Sequence, residues 1–204
     1  MQKDELIKRY YSQILLDELS IEKQELLSKK SITVIGCGGL GSPLAAYLAG
    51  AGVGKIKLVD DDTVELRNLH RQVFFSEDDI GIKKVKALSN YLKNLNSNTT
   101  IEIYDKKSWE LSYDNIKSDL LIDCADNLRT SYDLNRVCSK ERVAFLTASI
   151  AAHVGQILLF SNDSQHCCLE CVFPSEGELD ANDCADVGVP VSYTHLTLPT
   201  TVFV

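Results

Sequence analysis

The 204-residue sequence has no hydrophobic run that approaches the ~18 residues needed to cross a bilayer, because glycine and charge interrupt its longest apolar stretches. Its first nine residues are charged and lack the apolar segment of a secretory signal. Positive charge is also scarce, since 21 Lys and Arg stand against 29 Asp and Glu, for a net charge of −8. This balance disfavours an overall affinity for nucleic acid or for an anionic membrane. We therefore expect a cytoplasmic protein that has neither as a partner.

The cysteine content does not indicate a disulfide scaffold. Seven cysteines are an odd number, and a chain of this length with 45% hydrophobic residues can build a core without cross-links. Such usage is typical of a reducing compartment, where thiols are available for metal binding or thiol chemistry.

Short apolar runs alternate with helical patterns from residue 31 onwards. Strands are predicted over 31–35, 55–59, 101–104, 120–124, 144–148 and 155–160, and helices over 43–51, 83–95 and 130–139. This alternation predicts an α/β fold, a Rossmann-like doubly wound, mostly parallel sheet with helices on both faces. Residues 1–28 are predicted to form an N-terminal helical segment, with helices over 4–16 and 21–27. Residues 191–204 lack charge and helical periodicity, and we expect them to be a non-native tail.

A glycine-rich loop, with glycines at 36, 38, 39 and 41, lies between the first predicted strand of the sheet and the helix that follows it. Glycines in this context let backbone N–H groups approach a phosphate at a helix N-terminus. Asp60 follows Gly41 by 19 residues, at the end of the next strand, where a carboxylate can accept a hydrogen bond from a ribose hydroxyl. The sequence therefore predicts a nucleotide site, in which we include Gly36, Gly38, Gly39, Gly41, Asp60 and Asp62.

A cluster of cations after Asp60 distinguishes between nucleotides. Arg67, Arg71, Lys83 and Lys84 suit the larger charge of a triphosphate better than a dinucleotide pyrophosphate, although taken alone they are equally compatible with a solvated face. An NAD-dependent dehydrogenase leaves this cluster without a role. The chain also lacks G-x-x-x-x-G-K-[S/T], so it is not a P-loop protein.

Five motifs occur in one order along residues 9–190: R-Y-x-x-Q, I-G-C-G-G-L-G, A-G-A-G-V-G, D-x-D-x-V-x-x-x-N-L-x-R-Q and D-C-A-D-N. Together they resemble the ThiF/MoeB/HesA family of adenylating enzymes, which is related to the ubiquitin-activating enzymes. The resemblance implies that residues 29–190 are an ATP-binding adenylation domain, incomplete at its C-terminus. It also implies a homodimer, and a ubiquitin-like sulfur carrier ending in Gly-Gly as partner, in thiamine or molybdopterin biosynthesis. In that chemistry the carrier's terminal carboxylate attacks the α-phosphate of ATP, with Mg²⁺, and pyrophosphate leaves.

The resemblance also assigns roles to residues. It implies that the amide of Gly39 approaches ATP and that Asp60 and Asp62 bind the ribose. The triphosphate is held by Arg67, Asn68, Arg71 and Lys84, and Mg²⁺ by Asp126 with Asn127 beside it; Arg71, Lys84 and Asp126 are the expected catalytic groups. Taken alone, Asp126 is also compatible with a helix N-cap. One departure is Ser12, where the family often has an arginine that acts on ATP in the partner subunit, so Arg9 or another cation would have to replace it.

Two cysteine features remain. Cys168 and Cys171 have C-x-x-C spacing, which fits half of a tetrahedral zinc site, but the second C-x-x-C that family members supply is absent from this sequence, and a pair of free thiols is the alternative. Cys184 lies in N-D-C-A-D-V-G-V-P, residues 182–190, which resembles the family's segment with a mobile cysteine before G-V-x-x-P. In some members that cysteine takes part in thiol chemistry, so the resemblance implies a catalytic thiol at Cys184. Cys37, Cys124 and Cys138 lie in apolar segments and are expected to be buried.

Two other functions stay open beside adenylation of a sulfur carrier. One is a tRNA-modifying dehydratase of the same superfamily, which also activates a carboxylate with ATP. The other is a non-catalytic module that binds a ubiquitin-like protein without adenylating it. Ser12 and the missing C-terminal part of the family domain favour this alternative, and the intact Asn68, Arg71, Lys84 and Asp126 oppose it.

Overall fold

A six-stranded sheet forms the centre of the fold. The structure is a computed structural model that describes residues 3–151, 154–162 and 167–174. The strands lie in the order β3-β2-β1-β4-β5-β6, with the first five parallel and β6 antiparallel to β5. The predicted Rossmann-like, mostly parallel sheet is therefore confirmed. The strands are β1 Ser31–Ile35, β2 Lys55–Val59, β3 Thr100–Tyr104, β4 Leu120–Asp123, β5 Ala144–Ala151 and β6 Val154–Phe160.

Helices cover both faces of the sheet, as predicted. Successive residues of a strand point to opposite faces, so Val34 belongs to one hydrophobic cluster and its neighbour Ile35 to the other. The first cluster packs under α3 and α4, and the second under α6. The helices are α1 Lys3–Ile14, α2 Ile21–Leu27, α3 Gly41–Ala51, α4 Lys84–Leu95, α5 Tyr113–Ile116, α6 Leu128–Glu141 and α7 Leu169–Val172.

The main correction to the predicted boundaries is the start of α3. We expected Pro43 to be its first residue, whereas the helix begins at Gly41. A proline fits in the first turn as well as at the first position, because the N–H groups of that turn have no intrahelical acceptor. Strand β5 also extends to Ala151, three residues beyond the prediction, because the antiparallel pairing with β6 continues there.

The N-terminal segment is docked onto the sheet domain by buried polar groups. The hydroxyl of Tyr10 accepts a hydrogen bond from Nδ2 of Asn96 at 2.9 Å. The side chains of Gln13 and Gln24 both donate to the carbonyl of the last residue of α3, at 3.0 and 2.9 Å. At Gly52, where φ is +92°, an added Cβ would lie 2.6 Å from the Tyr10 side chain. The R-Y-x-x-Q motif thus holds α1 against the C-terminus of α3.

Within the described ranges, no helix combines the length and the apolar character that crossing a membrane requires.

Candidate functional site

The glycine loop between β1 and α3 contains two kinds of glycine. At Gly36, where φ is +86°, an added Cβ would lie 2.7 Å from the carbonyl oxygen of Cys124, and at Gly41 it would lie 1.8 Å from the carbonyl oxygen of Gly36. The fold itself therefore requires these two. At Gly38 the nearest atom is Nε2 of Gln72, 3.5 Å away, so the space beside this residue is open on that side. A Cβ there would make only an ordinary contact, so the packing of the chain does not itself require glycine at position 38.

The loop leads directly into the N-terminus of α3. The N-cap residue Leu40 makes no side-chain capping hydrogen bond, and the first turn contains no acidic residue. Ser42 donates to the Gly38 carbonyl through both its backbone N, at 3.0 Å, and its hydroxyl, at 2.7 Å, which fixes the turn. This end of the helix keeps the partial positive charge that favours an anion.

Asp60 connects the end of β2 to the glycine loop. Its Oδ2 accepts a hydrogen bond from the backbone N of Cys37 at 2.6 Å, and its Oδ1 accepts one from that of Asp62 at 2.8 Å. Burial raises the pKa of Asp60, although the nearby Lys84 and the two N–H donors act in the opposite direction. Within the described residues, Asp60, Asp61 and Asp62 form the one group of three potential metal ligands that lie close together.

Lys84 is the most deeply placed cation of the site. Its side chain is only 6% exposed, and its ammonium contacts Oδ2 of Asp62 at 2.7 Å, on the exposed side of the site. It is also the first residue of α4, where a positive charge opposes the helix dipole. The dipole of α4 therefore opposes this placement, whereas the Asp60 and Asp62 carboxylates favour it.

The segment after Asp62 brings together a second pair of predicted site residues. Asn68 is buried, and its Oδ1 accepts a hydrogen bond from Nη2 of Arg71 at 3.2 Å. Arg67 instead forms an ion pair with Glu65, and its side chain is 79% exposed. The hydrogen bond thus orients the side chains of Asn68 and Arg71 relative to each other, and Arg67 does not take part in it.

The loop after β4 shows that Asp126 is not a helix N-cap, which was the alternative to a role in the site. The N-cap of α6 is Asn127, whose side-chain oxygen accepts a hydrogen bond from the backbone N of Thr130 at 2.9 Å. Asp126 is exposed and is not the cap. Asn127 uses its side chain to cap the helix, whereas the carboxylate of Asp126 faces solvent.

Asp123, the first residue of D-C-A-D-N, was missed by the sequence interpretation. It is 1% exposed and accepts hydrogen bonds from the backbone N of Ala125 at 3.0 Å, from the Ser131 hydroxyl at 2.5 Å and from the Thr147 hydroxyl at 3.2 Å. Burial raises its pKa to about 6 in spite of these donors, and the nearby Asp126 adds to the rise. The signal available in the sequence was an acidic residue at the end of an apolar strand.

Asp123 makes stability depend on pH in a defined window. The folded chain holds this proton up to about pH 6, whereas an ordinary carboxyl releases it near 3.8, so the free energy of unfolding falls as pH rises between these values. At 1.36 kcal/mol per pKa unit, the loss is about 3 kcal/mol. We expect urea denaturation to show this decrease in the wild type and not in Asp123→Asn.

Asp119 supplies the control for this experiment. Hydrogen bonds with Lys30 and Ser31 lower its pKa to about 2, so it stabilises the fold above pH 3.8 and loses that contribution as pH falls towards 2. Asp119→Asn should change the profile only below pH 4. Identical slopes for the wild type and Asp123→Asn between pH 4 and 6 would contradict the assignment.

The cysteines divide as expected between core and surface. Cys37, Cys124 and Cys138 are buried, and burial raises the pKa of the last two to about 12. Cys168 and Cys171 lie with their Sγ atoms 3.5 Å apart, a separation that suits two thiolates on one zinc ion. Burial raises the pKa of Cys168, but hydrogen bonds with Asn135 and Cys171 outweigh it and lower that pKa. Cys184 and residues 191–204 lie outside the described residues.

Arg9, the cation on α1 that we expected to take the place of an arginine at position 12, already has a hydrogen-bond partner. Ser12 is exposed, and Nη2 of Arg9 donates to the carbonyl of Leu95 at 2.5 Å. Arg9 therefore anchors α1 to the end of α4.

Comparisons with known proteins identify the family of this chain. Sequence relatives include the sulfur carrier protein ThiS adenylyltransferase of Escherichia coli K12, 36% identical over 89% of this chain and 72% of that protein. The adenylyltransferase and sulfurtransferase MOCS3 of Anopheles gambiae is 38% identical over 90% of this chain and 42% of that protein. The chain thus spans less than half of the length of the latter.

Solved structures share the fold. The E. coli protein MccB matches with a TM-score of 0.74 over 87% of this chain and 52% of that one, at 24% identity. E. coli TcdA, a tRNA N6-threonylcarbamoyladenosine dehydratase, matches with a TM-score of 0.68 over 74% of this chain and 64% of that one, at 25% identity. The ThiF family matches residues 10–201. The chain belongs to the ThiF family.

Proposed function

We propose that the protein is an ATP-dependent adenylyltransferase that activates the C-terminal glycine carboxylate of a ubiquitin-like sulfur-carrier protein. The product is an acyl-adenylate, and pyrophosphate is released. The observation that carries the proposal is the buried ammonium of Lys84, held by Asp62 next to the Asp60 carboxylate that orders the glycine loop. A buried cation beside an anion-binding helix end suits a polyphosphate, whose charge it can neutralise.

Each part of the site has a role in this reaction. The open side of Gly38, the Gly39 amide and the N-terminus of α3 receive the phosphates, and Asp60 receives the ribose. Lys84 and Arg71 neutralise the charge that develops on the α-phosphate as the carboxylate attacks. Arg71 is oriented for this task by its hydrogen bond to Asn68.

Asp126 is the residue that would hold Mg²⁺. Its carboxylate is exposed and is not used as a helix cap, which leaves its oxygens available to a hard cation. When bound, Mg²⁺ supplies further positive charge to the phosphates.

Zinc at Cys168 and Cys171 is a separate proposal. The two sulfur atoms fit half of a tetrahedral site, and no further potential ligand lies close enough to complete it within the part of the chain that the structure describes. Two more ligands have to come from elsewhere.

The partner we propose is a small carrier with a Gly-Gly terminus, in thiamine or molybdopterin biosynthesis. The support is the similarity to the ThiS adenylyltransferase and to the SAMP-activating enzyme E1 of Haloferax volcanii, which is 35% identical over 90% of this chain and 68% of that protein. We also propose a homodimer. Apolar side chains of Tyr11, Leu15 and Leu16, more than half exposed at the end of α1, offer it a contact surface.

The similarity to TcdA supports a second candidate, a dehydratase that activates a carboxylate on a modified tRNA. The net charge of −8 opposes it, because tRNA binding relies on neutralising phosphates with Lys and Arg.

ATP–pyrophosphate exchange distinguishes these functions. We expect exchange that depends on a Gly-Gly carrier and falls at least 100-fold in Asp126→Ala, because the phosphates lose the charge held there. Asp78→Ala, at an exposed turn, is the matched control and should keep wild-type exchange. Exchange that depends on tRNA carrying N6-threonylcarbamoyladenosine would favour the dehydratase. Carrier binding without any exchange would favour the non-catalytic module.

A further inference from the structure

Asn135 of α6 connects that helix to the turn that carries Cys168 and Cys171. The residue is only 1% exposed, and its Oδ1 accepts a hydrogen bond from the backbone N of Leu169 at 2.9 Å. Because the oxygen is used in this way, the N–H group of the carboxamide is the one that donates to the sulfur of Cys168. One buried side chain thus holds both the backbone and a thiol of the same turn.

Two other contacts join α6 to the region of α7. The hydroxyl of Tyr132 donates to the carbonyl of Phe173 at 2.9 Å, and Nη2 of Arg136 donates to Oε1 of Glu170 at 3.2 Å. Tyr132, Asn135 and Arg136 follow the i, i+3, i+4 spacing that places residues on one face of a helix. Of these three contacts, the one made by Asn135 reaches a sulfur atom.

The geometry of the two thiols suits a single thiophilic ion. Their Sγ atoms are 3.5 Å apart, and two Zn–S bonds of about 2.3 Å at a tetrahedral angle separate the sulfurs by about 3.8 Å. Cys171 is exposed and Cys168 is half-buried, so an ion can reach the pair from solvent. Hydrogen bonds that fix a ligand from behind strengthen a metal site, because less conformational freedom is lost on binding.

We propose that Asn135 is a positioning residue that fixes the Cys168–Cys171 dithiol in the geometry required by a soft metal ion such as Zn²⁺. The carboxamide oxygen anchors the turn through Leu169, and the N–H group orients the sulfur of Cys168. This inference rests on the zinc half-site proposed above and adds the residue that arranges it. It does not depend on adenylation, because these groups lie outside the proposed nucleotide site.

Phenylarsine oxide tests the arrangement in the reduced full chain, because it bonds two thiols at once. Each thiol gives its proton to the oxygen of the reagent, so that two As–S bonds form and one water molecule leaves without any change of oxidation state. Cys171→Ser should abolish tight binding. Asn135→Ala and Asn135→Asp should each raise the Kd by about 10-fold or more, the usual effect of losing such a supporting group. The same order is expected for the Kd of Zn²⁺, measured by competition with a chelating dye.

Asn135→Asp separates positioning of the thiol from anchoring of the backbone. An ionised aspartate keeps an oxygen for the Leu169 amide but has no N–H group for the sulfur, so its Tm should stay near that of the wild type. Wild-type affinity for the arsenical in this variant would overturn the inference, since Asn135 would then serve the backbone alone. If Asn135→Ala does not fold, Asn135→Asp decides by itself.

Tyr132→Phe is the matched control, because it removes a hydrogen bond from the same face of α6 and leaves the carboxamide in place. It should bind the arsenical as the wild type does. Equal weakening in Tyr132→Phe and Asn135→Asp would overturn the inference in favour of a general docking effect of α7. A wild type that binds the reagent no better than Cys171→Ser would also overturn it. Failure of ATP–pyrophosphate exchange, by contrast, would refute the proposed function and leave the arsenical result in support of Asn135.

Discussion

Replacing Gly41 by alanine is expected to leave the chain largely unfolded. The added Cβ would lie 1.8 Å from the carbonyl oxygen and 2.9 Å from the carbonyl carbon of Gly36. Both atoms are backbone, so no side-chain rotation relieves the contact, and the strand-to-helix turn has to open. Because the turn also carries α3 onto the core, we expect a loss of more than about 4 kcal/mol. Circular dichroism and urea denaturation measure it.

Two other glycines make this prediction specific. Gly50 lies inside α3 with nothing within 4 Å of an added Cβ, so Gly50→Ala should stabilise the chain by roughly 0.5–1 kcal/mol. Gly38→Ala should fold normally, since its added Cβ makes only an ordinary contact, and should bind ATP more weakly because that Cβ occupies the open side of the loop. If Gly41→Ala unfolded at the wild-type urea midpoint, the close packing of this turn would be refuted.

Replacing Lys84 by methionine is expected to remove activity with at most a small loss of stability. Methionine keeps the length of the buried stem and removes the charge. Asp62 is left unpaired, but its side chain is 66% exposed and water can solvate it. The N-terminus of α4 also loses an unfavourable cation. The buried Asp60 loses the cation that offsets its burial, which acts against the gain at α4. We therefore expect a Tm near or modestly below that of the wild type, and ATP–pyrophosphate exchange reduced by about 100- to 1,000-fold, the usual effect of removing one group that stabilises transition-state charge.

Lys86→Met is the matched control for Lys84→Met. Lys86 lies two residues further along α4 and is exposed, so its replacement should leave both exchange and Tm near wild-type values. Loss of the cooperative unfolding transition together with activity in Lys84→Met alone would assign Lys84 to the fold instead of to the nucleotide. Full exchange activity in that variant would remove Lys84 from the proposed mechanism.

The elements that were predicted well are those with a strong local pattern. Residues 31–35 and 55–59 are short apolar runs closed by Gly36 and Asp60, and the structure gives strands with these bounds. The spacing of Val85, Leu88 and Leu92 likewise predicted α4, because these residues repeat on one face of a helix and are fully buried there. In each case neighbours along the chain decide the conformation.

Boundaries and caps that depend on the exact position of backbone groups were predicted less well. The start of α3 at Gly41 depends on the packing of this residue against Gly36, and the length of β5 on its pairing with β6. The choice of Asn127 over Asp126 as a helix cap required the position of the Thr130 amide. The third glycine of G-x-G-x-x-G indicates close packing at Gly41, but residue type alone gives neither the helix start, nor the cap, nor the strand length.

The sequence by itself determined the order of strands and helices, the glycine loop and the inventory of charged residues, because periodicity and residue type are local properties. Only the tertiary structure decided which glycines are required by packing, that Arg67 pairs with Glu65 while Arg71 pairs with Asn68, and that Lys84 is buried. It also revealed that the side chains of Asp123 and Gln72 are buried. Burial and hydrogen-bond satisfaction depend on segments far apart in sequence, and these come together only when the sheet and its helices pack.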